Sequence, residues 1–225
     1  METYTQYIAR IARIMQRRPN ALRALAELTK YDAQLCTRCT LPSAFNGAYY
    51  AHHRALRAPC QHRLPLQLIV LNYFAYSTPT QEALQVLGSH APLIEVGAGK
   101  GYWAGMLTGA DIIATDSSPQ DNRWTVGAPF TEVQRLTAHE AVEQYPDRTL
   151  VMMWPPVSGV AQDALQRYKG KHFVYVGGYD ASLCADSAFF ELLSREWRRV
   201  RRVRLPGWQE EKEESLDIFE RKEEQ

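Results

Sequence analysis

Residues 92–116 read PLIEVGAGKGYWAGMLTGADIIATD, and this stretch decides the fold. Leu93, Ile94 and Val96 form a short apolar run suited to a strand buried on both faces. Three glycines within five residues, Gly97, Gly99 and Gly101, break the run at once. Glycine there lets the backbone turn tightly and come close to a ligand. The spacing predicts a short helix over Tyr102–Thr108, stopped at Gly109, and then a second strand, Ile112 to Thr115, ending on Asp116. Strand, glycine turn, helix and strand read as a nucleotide-binding unit. Asp116 lies twenty-one residues after Glu95, about where such units place the acid that holds ribose hydroxyls.

The glycine spacing then separates cofactors. A dinucleotide fingerprint G-x-G-x-x-G starting at Gly97 needs glycine at position 102, where the chain has Tyr102. The loop reads Glu95-x-Gly97-x-Gly99-x-Gly101 instead, and that pattern resembles motif I of class I S-adenosylmethionine-dependent methyltransferases. The resemblance implies S-adenosylmethionine as the cofactor. It also implies that Glu95, Gly97, Ala98, Gly99 and Gly101 shape the loop under the methionine part, with Tyr102 and Trp103 beside it. Asp116 with Ser117 would then hold the ribose.

At 225 residues the chain has room for one domain of ordinary size and an extension. The net charge of +1 hides an uneven distribution. Residues 1–66 hold ten Lys or Arg against Glu2, Glu27 and Asp32, a balance of +7, while the remaining sixteen basic and twenty-two acidic residues sum to −6. The expected division is therefore a basic helical extension over 1–66 and a catalytic domain over 67–225. Two amphipathic helices are predicted in the extension, Thr5 to Arg18, ended by Pro19, and a second capped by Asn20 and running to about Lys30. An Arg-rich start of this kind also suits an organelle transit peptide, which Glu2 and the immediate second helix disfavour. Tyr49, Tyr50, His52, His53, Arg54 and Arg57 could stack on bases and touch phosphate, or form a solvated helix face. Cys36, Cys39, Cys60 and His62 are zinc-ligand types, but their second half lacks paired spacing, so incidental thiols are the favoured reading and no metal is expected. Four cysteines without a secretory signal suggest a reducing, cytoplasmic setting, and no run approaches the roughly twenty apolar residues that span a bilayer.

Downstream of the extension, Thr78, Pro79 and Gln81 make a capping pattern for a helix closed by Gly88, with Tyr76 just before it as a candidate wall for a sulfonium. Past Asp116, strands are predicted over Phe130–Leu136, Thr149–Trp154, His172–Val176, Val200–Leu205 and Leu216–Arg221. Between them lie helices over Ala138–Gln144, from Ser158 to Tyr168, and from Asp186 through Trp197. Seven strands with alternating helices predict an α/β, Rossmann-like doubly wound sheet, mostly parallel, with the last strand antiparallel. Arg198, Arg199, Arg201, Arg202 and Arg204 would lie on an edge strand and blunt its pairing with other chains. The acidic run Glu210 to Glu214 reads as a solvated loop.

A second chemical signal follows the fourth strand. Trp154-Pro155-Pro156 sits at the carboxyl edge, where open α/β sheets bind ligands. It is similar to the turn of class I enzymes that methylate exocyclic or amide nitrogens, which carry Asn or Asp, then Pro-Pro and an aromatic residue. Here Trp154 and Val157 replace the polar and aromatic residues, so methylation of adenine amino groups is not carried over. The E-x-G-A-G-x-G-Y-W loop, the W-P-P turn, Tyr168-x-Gly170, Tyr175-Val176-Gly177 and Leu205-Pro206-x-Trp208 together resemble a group of class I methyltransferase-like proteins over residues 73–221. That group is expected to carry an acid where this chain has Gly178.

The leading expectation is a methyltransferase in which Trp154 and the Pro155 carbonyl, with Pro156 stiffening the turn, line the acceptor pocket. The basic extension leans the acceptor toward RNA or a nucleic-acid-associated protein, with a small metabolite as the alternative. A methyltransferase fold used as a binding module without turnover is the second class. A nicotinamide-dependent oxidoreductase is the third, disfavoured by Tyr102.

Overall fold

The computed structural model describes residues 75–77, 79–119, 129–205 and 214–223, all within one compact unit, Asn72–Gln225. The expected amino-terminal helices, the Cys36–His62 cluster, the aromatic and basic residues 49–57, Thr78, Pro206 and Trp208 lie outside the described residues.

The described chain runs α1 (Gln81–Gly88), β1 (Leu93–Val96), α2 (Tyr102–Met106), β2 (Ile112–Asp116), β3 (Gln134–Arg135), α3 (Ala138–Gln144) and β4 (Thr149–Met153). It continues through α4 (Val160–Arg167), β5 (His172–Gly177), α5 (Ser187–Glu196), β6 (Trp197–Leu205) and β7 (Glu214–Arg221). One seven-stranded sheet has the order β3-β2-β1-β4-β5-β7-β6. Strands β1 to β5 pair in parallel, and β7 enters antiparallel between β5 and β6. This is the Rossmann-like methyltransferase fold that the alternation of strands and helices predicts. The strand order reverses between β1 and β4, and the crevice there is the natural ligand position of such sheets.

Period-two alternation divides each central strand between the two faces. Ile94, Leu150, Met152, Phe173 and Tyr175 pack with Ala141, Ala161, Leu165, Phe189 and Leu193 of α3, α4 and α5 in one buried cluster. Leu93, Glu95, Val151, Val174 and Val176 turn to the opposite face and are also buried. Burial on both faces is why these strands read as nearly continuous apolar runs.

Several boundaries differ from expectation. The cap of α1 is Thr80, whose hydroxyl accepts from Ala83 N–H at 3.0 Å, so Pro79 precedes the cap and Glu82 complements the helix dipole in the first turn. The cap of α4 is Gly159 rather than Ser158. Gly159 adopts φ 71° and donates its N–H to Asp186 Oδ2 at 2.7 Å, so a distant segment fixes where that helix begins. Asp186 also caps α5 through Phe189 N–H at 2.8 Å, as expected. Trp197 opens β6 instead of closing α5, because it pairs with Arg221 and buries its indole against Tyr168. Strand β3 keeps only two residues. Phe130 leaves the sheet and donates its N–H to Lys100 O at 2.9 Å, covering the glycine loop.

On β6 the arginines face acids, as edge protection requires. Arg202 makes a two-pronged bond to Asp217 at 2.8 and 2.9 Å, Arg198 reaches Glu220 at 2.8 Å, and Arg201 reaches Glu82 at 3.8 Å. A bulge between Arg199 and Arg201 leaves Val200 out of the ladder and exposed.

Candidate functional site

The glycine loop after β1 takes a left-handed backbone at each glycine: φ is 72° at Gly97, 57° at Gly99 and 68° at Gly101. Ala98 N–H donates to Thr115 O and Gly101 N–H to Ala98 O, both at 2.8 Å, which curls the loop over the end of β2. Asp116 completes the hold. Its Oδ2 accepts from Gly99 N–H at 2.9 Å and its Oδ1 from Ser118 N–H at 2.8 Å. The carboxylate expected to hold a ribose is thus also the clamp that shapes the loop. Gly97 and Ser117 are exposed and Ala98 is half-buried, so they make the open surface of the loop.

Gly101 and Gly97 differ in what surrounds them. A Cβ on Gly101 would stand 2.6 Å from Thr131 Cγ2 and 3.0 Å from Val133 Cγ2, whereas one on Gly97 would meet nothing within 4 Å. Adding left-handed strain to overpacking, Gly101→Ala is expected to cost about 3 kcal/mol, and Gly97→Ala about 1 kcal/mol from strain alone. Urea unfolding of both variants measures the difference. Equal costs would mean that the packing beneath Gly101 yields freely.

Two ionisable groups are buried at the loop, each only 2% exposed: Glu95 in the strand before it and Lys100 within it. Burial pushes the Glu95 carboxyl up to about 8; the Ala104 N–H bond opposes this and the charge of Asp116 adds to it. Oε2 of Glu95 has neither solvent nor a hydrogen-bond partner. Lys100 sits with its ammonium 4.9 Å from the centre of the Phe130 ring, and burial lowers it to about 8. Tyr102 packs edge-on to Phe130 at 5.1 Å, and both Tyr102 and Trp103 are buried. These two aromatics open α2 directly after the loop and anchor its end in the core.

Across the crevice, Trp154 leaves β4 with its N–H bonded to Val176 O at 2.8 Å and takes a φ of 47°. A left-handed conformation is an outlier for a bulky aromatic residue and needs surroundings that enforce it. Ala185, at φ 56°, is the other left-handed residue besides glycine among the described residues, and its N–H donates to Pro155 O at 2.7 Å. The Pro155 carbonyl expected to face an acceptor therefore already has an internal donor, thirty residues away. Pro155 is buried, and Pro156 is exposed.

The residues that tie the two halves together are Ser77 and Glu214. Trp103 Nε1 donates to the Ser77 carbonyl at 3.0 Å, and Trp154 Nε1 donates to the Ser77 hydroxyl at 2.7 Å. That hydroxyl donates in turn to Glu214 Oε2 at 2.6 Å. Ser77 is 2% exposed and Glu214 5%, so Glu214, expected on a solvated loop, is instead buried at the head of β7. Tyr76 holds its ring 6.0 Å from that of Trp154, tilted by 34°. Neither Ser77 nor Glu214 carries a local motif; only the pairing of β7 with β5 brings the acid here. Nearby, Asp217 is fully buried and accepts from Arg202, Ser215 and the Tyr179 hydroxyl. Among the described residues no group of three His, Cys, Asp or Glu could hold a metal ion, and no helix is long and apolar enough to cross a membrane.

The sheet and its crevice define a protein of the Rossmann-like methyltransferase fold. The sequence matches no family model and no curated protein. Among solved structures the chain is similar to TrmN from Thermus thermophilus, at 12% identity and a TM-score of 0.42, with 63% of this chain and 48% of that one covered. It is also similar to magnesium protoporphyrin IX methyltransferase (ChlM) from Synechocystis PCC 6803 with bound SAM, at 9% identity and a TM-score of 0.45, with 80% and 98% covered. N-methyltransferase NodS from Bradyrhizobium japonicum WM9 is similar at 14% identity and a TM-score of 0.39, with 63% and 94% covered. The chain thus spans about half the length of the first of these.

Proposed function

We propose that the protein is an S-adenosylmethionine-dependent methyltransferase whose acceptor binds against the Trp154 turn. One observation carries this reading. The glycine loop and the strained Trp154 turn leave the carboxyl ends of β1 and β4, the two strands flanking the reversal of strand order, and Ser77 bonds to both of their indoles. The residues present suit the cofactor. Open space lies at Gly97, and a buried carboxyl oxygen of Glu95, on the strand that leads into the same loop, lacks a partner.

When bound, S-adenosylmethionine supplies a methyl group on a cationic sulfur. The work left to the chain is to hold donor and acceptor in line and to exclude water. Gly97, Ala98 and Ser117 present the open side of the loop, and Asp116 keeps that side in shape. Tyr76 and Trp154 offer ring faces suited to a cation.

Calorimetric titration with S-adenosylmethionine, S-adenosylhomocysteine and, separately, NADH tests the reading. Micromolar binding of the first two and none of NADH is the expected result. Binding of NADH alone would overturn it in favour of hydride transfer.

A further inference from the structure

We infer that Ser77 is the positioning residue of the acceptor turn: its hydroxyl fixes the Trp154 indole relative to the glycine loop, while its carbonyl separately holds Trp103. This rests on the methyl-transfer reading above and adds the residue that sets the acceptor side in register with the cofactor side.

An in-line displacement needs donor and acceptor at a fixed distance and angle, and a misplacement of about 1 Å costs on the order of a hundredfold in rate. Two different turns carry the two sides. The glycine loop and Trp103 follow β1, and the Trp154 turn follows β4. Strands β1 and β4 pair as far as Val96 with Met152, so beyond that pair their ladder no longer fixes one turn against the other. Ser77 takes over there. It belongs to neither turn but to the segment ahead of α1, and it accepts from Trp103 Nε1 at 3.0 Å and from Trp154 Nε1 at 2.7 Å.

The two indoles depend on Ser77 to different degrees. Trp103 is 2% exposed and lies within α2, so its helix and the core hold its ring. Trp154 is half-buried and stands at φ 47°, a conformation that persists only where the surroundings enforce it. Its backbone N–H is tied to Val176 O at 2.8 Å, but that bond leaves the direction of the ring open. Beside the outer edge of the indole lies Gly178, where a Cβ would stand 3.9 Å from Trp154 Cη2, and glycine puts no side chain there to stop the ring. The indole N–H is the one hydrogen-bonding group of the ring, and it is given to the Ser77 hydroxyl.

That hydroxyl is itself aimed. Its single proton goes to Glu214 Oε2 at 2.6 Å, which turns its lone pairs toward the indole. Ser77 is 2% exposed, so water does not compete for either bond. Because one indole uses the backbone and the other the side chain, alanine at this position separates the two functions. The carbonyl still accepts from Trp103, and Trp154 alone loses its acceptor.

The test uses the full chain isotopically labelled at the tryptophan nitrogens, with the indole signals assigned through Trp103→Phe and Trp154→Phe and the exchange of each indole N–H with water measured by NMR. In the wild type both indoles are expected to exchange more slowly than free tryptophan. In Ser77→Ala, exchange at Trp154 is expected to rise about tenfold or more, while exchange at Trp103 and the affinity for S-adenosylhomocysteine each stay within about twofold. A role in packing alone would move both indoles together, and that result overturns the proposal, as does unchanged exchange at Trp154 in a folded variant. Should the variant fail to fold, the wild type decides: a Trp154 N–H that exchanges as fast as free tryptophan is not held by Ser77. Absence of S-adenosylhomocysteine binding to the wild type is a separate result, which removes the methyl-transfer reading and the positioning role with it.

Discussion

Between pH 4.5 and about 8, the wild-type protein is expected to lose stability relative to Glu95→Gln by about 1.4 kcal/mol per pH unit. The sign follows from where the proton is held. In the unfolded chain Glu95 ionises near 4.5, whereas in the folded protein burial keeps it protonated up to about 8. The folded state binds the extra proton across that window, so its advantage is complete below 4.5 and is lost as pH rises through about 8. The groups bearing on Glu95 are the Ala104 N–H, which favours the charged form, and the Asp116 carboxylate, which opposes it. Lys100, buried within the glycine loop and lowered to about 8, acts in the opposite sense. Its unfolded form holds a proton to about 10.5, so stability recovers as pH climbs from about 8 toward that value. Thermal melts across pH 4 to 10 should therefore show a trough near pH 8 in the wild type. The falling limb disappears in Glu95→Gln and the rising limb in Lys100→Met. A gap between wild type and Glu95→Gln that does not change with pH would mean that Glu95 takes up its proton alike in the folded and unfolded chain.

Asp116→Ala is expected to weaken S-adenosylhomocysteine binding on the order of a thousandfold, about 4 kcal/mol. Both oxygens of Asp116 accept backbone N–H groups, from Gly99 and Ser118. Hydrogen bonds to a charged group contribute about 1.5–3 kcal/mol each, and losing both releases the glycine loop from the end of β2. A ligand would then have to order the loop as it binds. Asp116→Asn keeps one acceptor and turns an amide toward the other N–H, so an intermediate loss is expected. Trp154→Ala, which touches the acceptor side, should leave affinity within a few-fold. Isothermal titration of the three folded variants decides, and unchanged binding in Asp116→Ala would remove the assignment.

What was legible in the sequence was what short-range chemistry specifies. The strand, glycine turn and second strand of residues 93–116 were readable because three glycines and two apolar runs fix them locally. Helix Ala138–Gln144 matches end to end because Thr137 and Glu140 form a reciprocal cap within four residues. The misplaced start of α4 had its cause in Asp186, twenty-seven residues away. Pro155 read as an open acceptor because nothing local announces the Ala185 N–H. The largest omission, the Ser77–Glu214 bond, spans 137 positions, and the charges around Glu214 suggested a solvated loop. Phe130 looked like a strand residue on hydropathy alone, yet its ring is used over Lys100 and Tyr102.

The bulge at Val200 records how this sheet tolerates changes in length. Pairing is regular up to Arg199–Phe219 and resumes at Arg201–Ile218, with one residue of β6 left over. Deleting Val200 would join the two halves of the ladder without altering any pair on either side, including Arg202 with Asp217 and Leu205 with Glu214. Deleting a residue elsewhere in β6 would instead shift part of the strand by one position and turn the arginines there onto the wrong face. Val200 is thus the position on this edge where the sequence is free to shorten, and natural length variation in β6 should concentrate there.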